Sequence, residues 1–179
     1  VYLVEVDQAA LEWTHRNVEA NAENIARAGS VVHVVESDVR DVAMVGGALT
    51  HIAGSVDIVA ANPPYIPDAM VPRDAEVREH DPAAALYAGP DGMDRIRELA
   101  RTAAILLKSG GSVIVEHADQ QGPDATDGGV VGVFRDLCID QDMSLMVPGL
   151  PEKRAFRQVV DRRDLAGLPR FTIAIREDP

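Results

Sequence analysis

The chain has 179 residues, 46% of them hydrophobic, and a formal charge of −12, enough apolar material for one sizeable core and one domain. That charge opposes tight binding to naked nucleic acid, which a basic surface normally leads, although a local basic patch escapes such a count. Cys138 is the single cysteine, which excludes an internal disulfide framework. No Cys/His spacing resembles a zinc site, and no apolar run approaches the roughly 20 residues that span a bilayer. A reducing, cytoplasmic setting fits this composition best.

In chain order, "VYLVEV" is a short β-branched apolar run that begins as a strand already under way. From Ala10 to Ile25 the apolar positions Ala10, Leu11, Thr14, Val18, Ala22 and Ile25 recur at helical spacing, with Asp7 placed to cap the helix and Gly29 to end it. "VVHVV" at 31–35 is a second strand and "ESDVRDV" a polar loop. "VDIVAA" at 56–61 is a third strand, whose unbroken apolar run predicts cover on both faces. A proline-rich, charged segment from Pro63 to Gly92 is longer than most connections, which favours a functional loop. Ile96, Leu99, Ala100, Ala103, Leu106 and Leu107 mark a helix ending at "KSGG", and "SVIVE" at 112–116 is a buried strand. Val130–Ile139 reads as a helix with Cys138 as a small core residue inside it. "FRQVVDR" and "RFTIAI" around "DLAG" read as a final antiparallel pair. Alternating strands and helices imply an α/β fold, a mainly parallel sheet with helices on both faces.

Ligands of such sheets sit beyond the carboxyl ends of the strands, where Glu5, Asp38, Asn62 and Glu116 fall. Glu5 or Asp7 suits ribose hydroxyls, although an isolated carboxylate is more often a solvated charge or a helix cap. "NPPY" at 62–65 is the sharper signal. Each proline fixes its own φ, and Pro64 restricts Pro63, so the chain after Asn62 is held extended without help from packing. The side-chain oxygen of Asn62 and the main-chain carbonyls of Asn62 and Pro63 become pre-aimed acceptors, able to pin both hydrogens of an amino group and direct its nitrogen at an electrophile. Tyr65 offers a ring face to a planar amide or base. A rigid turn with a buried aromatic is the plainer reading, and "PP" alone would favour it. His33, His51 and His117 carry no catalytic or metal signal, and the acidic run "DAEVREHD" lacks a ligand spacing.

Strand, acidic residue, helix, strand, "SD", strand and "NPPY" resemble a class I S-adenosylmethionine-dependent methyltransferase acting on planar nitrogens. "NPPYIPDAMV", "EHDPAAALYAGPDGMDRIREL", "GGSVIVEHADQQG" and "DLAGLPRFTIA" are more specifically similar to the HemK/PrmC family, the protein-(glutamine-N5) methyltransferases of peptide chain release factors. The resemblance implies a Rossmann-like sheet, mainly parallel with an antiparallel C-terminal strand. It assigns ribose binding to Glu5, which stands five residues before Ala10, and capping to Asp7. It sets Asp38 and Val39 beside the adenine, gives Asn62, Pro63, Pro64 and Tyr65 the substrate amide, with Asn62 also beside the cofactor, and makes Glu116 a support behind the site. The family's glycine-rich loop and its helical substrate-binding domain would precede Val1. Residues 1–179 then correspond to the C-terminal part of a single catalytic domain, without the first strand. Residues 141–155 depart from the family as an insertion, in which Met143, Leu145, Met146 and Leu150 cover the sheet edge or form a flexible binding surface. The expected acceptors are release factors. Two other readings stand beside this one: a nucleic-acid amino-methyltransferase acting on adenine N6 or guanine N2, which the acidic balance disfavours, and a non-catalytic methyltransferase-like fragment.

Overall fold

The computed structural model describes residues 1–72, 74–139 and 153–177, in two compact units that divide after His51. In the first, strand β1 (Tyr2–Glu5) leads into helices α1 (Gln8–Ala20) and α2 (Ala22–Arg27), then strand β2 (His33–Glu36). β1 and β2 pair in parallel from Tyr2↔His33 to Glu5↔Glu36, so their carboxyl ends lie side by side. The Asp7 side chain caps α1 as expected, its Oδ1 accepting from Ala10 N at 2.9 Å. The single helix expected over 10–25 is two. At Asn21 the backbone leaves helical geometry (φ −103°, ψ 10°) while Nδ2 donates to Asn17 O at 2.8 Å, a local bond that competes with helix continuation. Gly29, at φ +64°, ends α2 as its position implied. Leu11, Val42, Ala43 and Leu49 are the buried residues of this unit.

In the second unit, strand β3 (Val56–Ala61), helices α3 (Ala75–His80) and α4 (Asp94–Leu106), and strand β4 (Leu107–Glu116) are followed by helix α5 (Gly129–Asp136). Two short strands, β5 (Cys138–Ile139) and β6 (Lys153–Arg154), pair antiparallel, and β7 (Phe156–Arg163) and β8 (Pro169–Arg176) close the chain. The four-stranded sheet runs β3-β4-β8-β7: β3 and β4 are parallel, while β8 is antiparallel to both β4 and β7. The β7–β8 hairpin was legible in sequence. Its "DLAG" turn is held by Asp164, whose Oδ1 accepts from Ala166 N at 2.9 Å and Leu168 N at 3.0 Å. The Leu168 amide chiefly, with Arg170 and Ala166, holds this carboxyl below its usual range.

The stripe on α4 is the core of this unit. Ile96, Leu99, Ala100, Ala103 and Leu106 are buried, with Val113 and Val115 of β4 and Ala174 of β8. Phe134 of α5 meets Phe156 of β7 edge to face, with ring centroids 5.2 Å apart.

Four further expectations are corrected. The helix expected to carry Leu107 and end at "KSGG" stops at Leu106, and Leu107 and those four residues open β4. β3 is not covered on both faces: Ile58 is 62% exposed, and among the described residues β3 pairs with β4 alone. The helix expected over 130–139 stops at Asp136, and Cys138 is exposed in β5 rather than packed inside a helix. The long connection after Pro63 contains α3, which takes up the acidic run. Residues Met143, Leu145, Met146 and Leu150 of the expected insertion lie outside the described residues; of 141–155 only 153–155 are described. Among the described residues no helix is long and apolar enough to cross a membrane.

Candidate active site

The tetrad occupies the position its composition called for, directly after the carboxyl end of β3. Asn62 is exposed, and its side-chain amide makes no hydrogen bond among the described residues. It lines an open cavity of about 490 Å³ together with Ala60, Ala61, Ile114, Glu116, Arg170 and Phe171. Three strands build this cavity. β3 delivers Asn62, β4 delivers Ile114 and Glu116, and β8 delivers Arg170 and Phe171, Glu116 lying opposite Phe171 in the ladder. Glu116, expected behind the site, therefore stands in its wall. Arg170 is oriented from outside by Asp164, whose Oδ2 accepts from its Nε at 3.3 Å.

After the tetrad the chain is fastened to the distant 86–92 segment. Ile66 N donates to Leu86 O at 2.8 Å and Ala88 N donates back to Ile66 O at 3.0 Å. Asp68 and Gly89 exchange two bonds: Asp68 N donates to Gly89 O, and Gly89 N donates to Asp68 Oδ1, both at 3.0 Å. The "NPPY" stretch and the "LYAGPDG" stretch thus form one unit of structure. Proline rigidity alone would fix the angles of the tetrad but not its place; these bonds fix the place.

Behind the carboxyl end of β4 lies a polar cluster that sequence reasoning passed over. His117 is fully buried: Nδ1 donates to Ala118 O at 2.9 Å, while Nε2 lies 3.0 Å from Asp161 Oδ2 and 3.2 Å from Thr172 Oγ1. Asp161 Oδ2 is buried and has no well-aligned hydrogen bond among the described residues. The cluster ties the end of β4 to β7 and β8, on the far side of the sheet order from Asn62. Asp161 and Thr172 sit inside strands, and nothing in their local pattern separates them from ordinary strand residues.

Glu5, Asp38 and Val39 belong to the first unit and are described within it. Glu5 is anchored, its Oε1 accepting from Val6 N at 2.8 Å and Asp7 N at 2.9 Å. Among the described residues its Oε2 meets no donor. A carboxylate fixed through one oxygen and open at the other fits a vicinal diol, so the residue is suited to the ribose of a nucleoside cofactor. Asp38 is differently placed. Arg40 engages both its oxygens, through N at 2.9 Å and Nε at 3.2 Å on Oδ1 and Nη2 at 3.0 Å on Oδ2. Arg40 therefore sets how the Asp38 carboxylate is presented. His33 stacks on Tyr2 with centroids 5.0 Å apart, and His51 meets the same ring edge-on at 6.3 Å.

No family model matches the chain. It is 37% identical over 183 residues to the release factor glutamine methyltransferase of Streptomyces coelicolor, a match covering 100% of this chain and 51% of that protein. It is 36% identical over 176 residues to the protein of the same name in Mycolicibacterium smegmatis, covering 98% of this chain and 50% of the relative. A 4-amino-L-phenylalanine/4-methylamino-L-phenylalanine methyltransferase of Streptomyces pristinaespiralis is 39% identical over 118 residues, 66% of this chain and 35% of its own. The chain thus spans about half the length of the curated relatives it matches. Among solved structures, one described as a predicted O-methyltransferase from Agrobacterium tumefaciens superposes with a TM-score of 0.53 at 17% identity, over 99% of this chain and 62% of that one. That likeness bears on fold alone, and the fold is the α/β, Rossmann-like one of class I methyltransferases.

Proposed function

We infer that this chain, a relative of the release factor glutamine methyltransferases along its whole length, is the larger part of the catalytic region of a methyltransferase that modifies the side-chain nitrogen of a glutamine in peptide chain release factors, in the cytoplasm. One observation carries the reading: an unpartnered Asn62 amide at the end of β3, stiffened by Pro63 and Pro64, faces a cavity open enough for a side chain to enter. S-adenosylmethionine, when bound, supplies a sulfonium-activated methyl group. Glu5 would hold its ribose, Asp38 and Val39 would border its adenine, and Asn62 would touch both cofactor and substrate.

The rest of the work is orientation. An amide nitrogen is a poor nucleophile because its lone pair is delocalised into the carbonyl. Asn62 Oδ1 and the Pro63 carbonyl accept its two hydrogens, which turns the nitrogen toward the methyl donor, and the Tyr65 ring covers the amide plane. The nitrogen would take the methyl carbon as the carbon–sulfur bond breaks, with S-adenosylhomocysteine leaving, and the proton made acidic by that step would pass to solvent at the open cavity, so a strong base is not required. Glu116 and Arg170 in the cavity wall set the local field.

A specific observation keeps the nucleic-acid reading in play. Lys153, Arg154, Arg157, Arg162 and Arg163 are all exposed along β6 and β7, a local concentration of positive charge in an acidic chain. The plainer account is that β7 is the edge of the sheet, and charged side chains are what edge strands use to avoid pairing with other chains. Transfer of labelled methyl groups by the full chain, with release factor, DNA and ribosomal RNA offered in parallel, decides the matter. Label in the release factor alone is the expected result. Label in either nucleic acid and none in the protein overturns the assignment.

A further inference from the structure

Gln121 lies outside both the tetrad and the cavity wall, yet it is only 8% exposed and its side chain is fully engaged. Nε2 donates to Tyr65 O at 2.9 Å and to Gly92 O at 3.2 Å, while Oε1 accepts from Ala118 N at 3.1 Å. One side chain therefore ties the last residue of the tetrad to two segments remote from it in sequence. The packing around it is close. Gly92 has φ +72°, and a Cβ there would lie 2.3 Å from Tyr65 O and 3.0 Å from Gln121 Nε2, so only a residue without a side chain lets the three groups meet.

The tetrad is thus fixed at both ends. β3 sets Asn62, Gln121 sets the Tyr65 carbonyl, and the two prolines transmit the constraint between them because neither can relax its φ. We propose that Gln121 is a positioning residue for methyl transfer, acting through the Tyr65 carbonyl to fix where the Asn62 and Pro63 acceptors and the Tyr65 ring stand. The proposal rests on the tetrad being the substrate clamp.

Gln121→Glu in the full chain tests it. The replacement keeps the shape and the acceptor for Ala118 N, but its ionised form turns a carboxylate oxygen toward two carbonyls. Protonation restores one O–H donor, and burial favours the protonated form. With release factor as acceptor, kcat is expected to fall about tenfold to a hundredfold. The dissociation constant for S-adenosylhomocysteine, which also reports that the variant is folded, is expected to stay within about twofold. The ratio of variant to native kcat is expected to climb as pH is lowered from about 8 to about 6. Gln121→Met, which cannot ionise, shares the loss without the climb. Native kcat in the Glu variant, or a ratio flat across pH, overturns the proposal. Amide exchange over residues 62–68 separates this from a failure of the functional reading. If the native protein methylates no release factor while exchange is faster in the Glu variant, the functional reading fails and the tether stands. Unchanged exchange overturns the tether itself.

Discussion

Among the described residues Glu5 and Asn62 each present an oxygen without a donor, and local structure supplies the reason in both cases. Glu5 is held through its other oxygen by the two amides that follow it, and Asn62 stands where two prolines forbid the chain from folding back to satisfy it. Contiguity is why these residues were legible: each signal lies within a few positions of sequence. Gln121 was not legible because its partners Tyr65 and Gly92 are 56 and 29 positions away, and no local pattern announces a tether of that span. Arg170 and Phe171 were hidden for a related reason, since they reach the cavity through the pairing of β8 with β4. At this scale Gly92→Ala is the sharpest test of the packing. Its left-handed φ and the 2.3 Å approach of Tyr65 O predict a loss of about 1–3 kcal/mol. The loss appears as a lower urea midpoint at an unchanged m-value. An unchanged midpoint would mean that Tyr65 and Gly92 do not meet as described.

Elements followed the sequence where periodicity was strong and departed where a neighbour decided. Five of the six apolar positions expected on α4 share one buried face, while Leu107 begins β4. The run in β3 misled because apolar composition does not distinguish a central strand from an edge one, and within its unit β3 has a partner on one side only. The break at Asn21 and the early end of α5 each turn on one or two residues, which a periodic pattern averages away. The start of α4 has a testable electrostatic element. Asp91 accepts from Met93 N at 3.0 Å and pairs with Arg97, whose guanidinium is the main cause holding the Asp91 carboxyl below its usual range. A carboxylate with a depressed folded pKa contributes stability above its unfolded pKa and loses it as pH falls through the folded one. Both side chains are partly exposed, so the pair is worth at most about 1 kcal/mol. Asp91→Asn is therefore expected to lower the urea midpoint slightly at neutral pH and to converge on the native protein below about pH 4. A midpoint difference that persists unchanged into acid would exclude this pair as its source.

At the scale of the molecule, the two parts of the reading rest on different units. The nucleoside-facing residues Glu5, Asp38 and Val39 belong to the first, and the clamp, the cavity and Gln121 to the second. The α/β class and the closing antiparallel hairpin were legible because strand and turn signals alternate regularly. The polar cluster of His117, Asp161 and Thr172 was not, since it depends on three strands meeting. The acidic balance agrees with a protein acceptor, and the cationic side chains on β6 and β7 are the one feature that pulls the other way. The central claim is that Asn62 orients a glutamine amide for methylation. Its most direct test is site-resolved mass spectrometry of a release factor incubated with S-adenosylmethionine and either the native full chain or Asn62→Ala, with S-adenosylhomocysteine affinity measured beside it. The expected result is a methyl group on one glutamine side-chain nitrogen with the native chain, and with the variant a rate lower by about a hundredfold, a far larger loss than that in cofactor affinity. Native-like methylation by Asn62→Ala, or a methyl group on any atom other than that nitrogen, would contradict it.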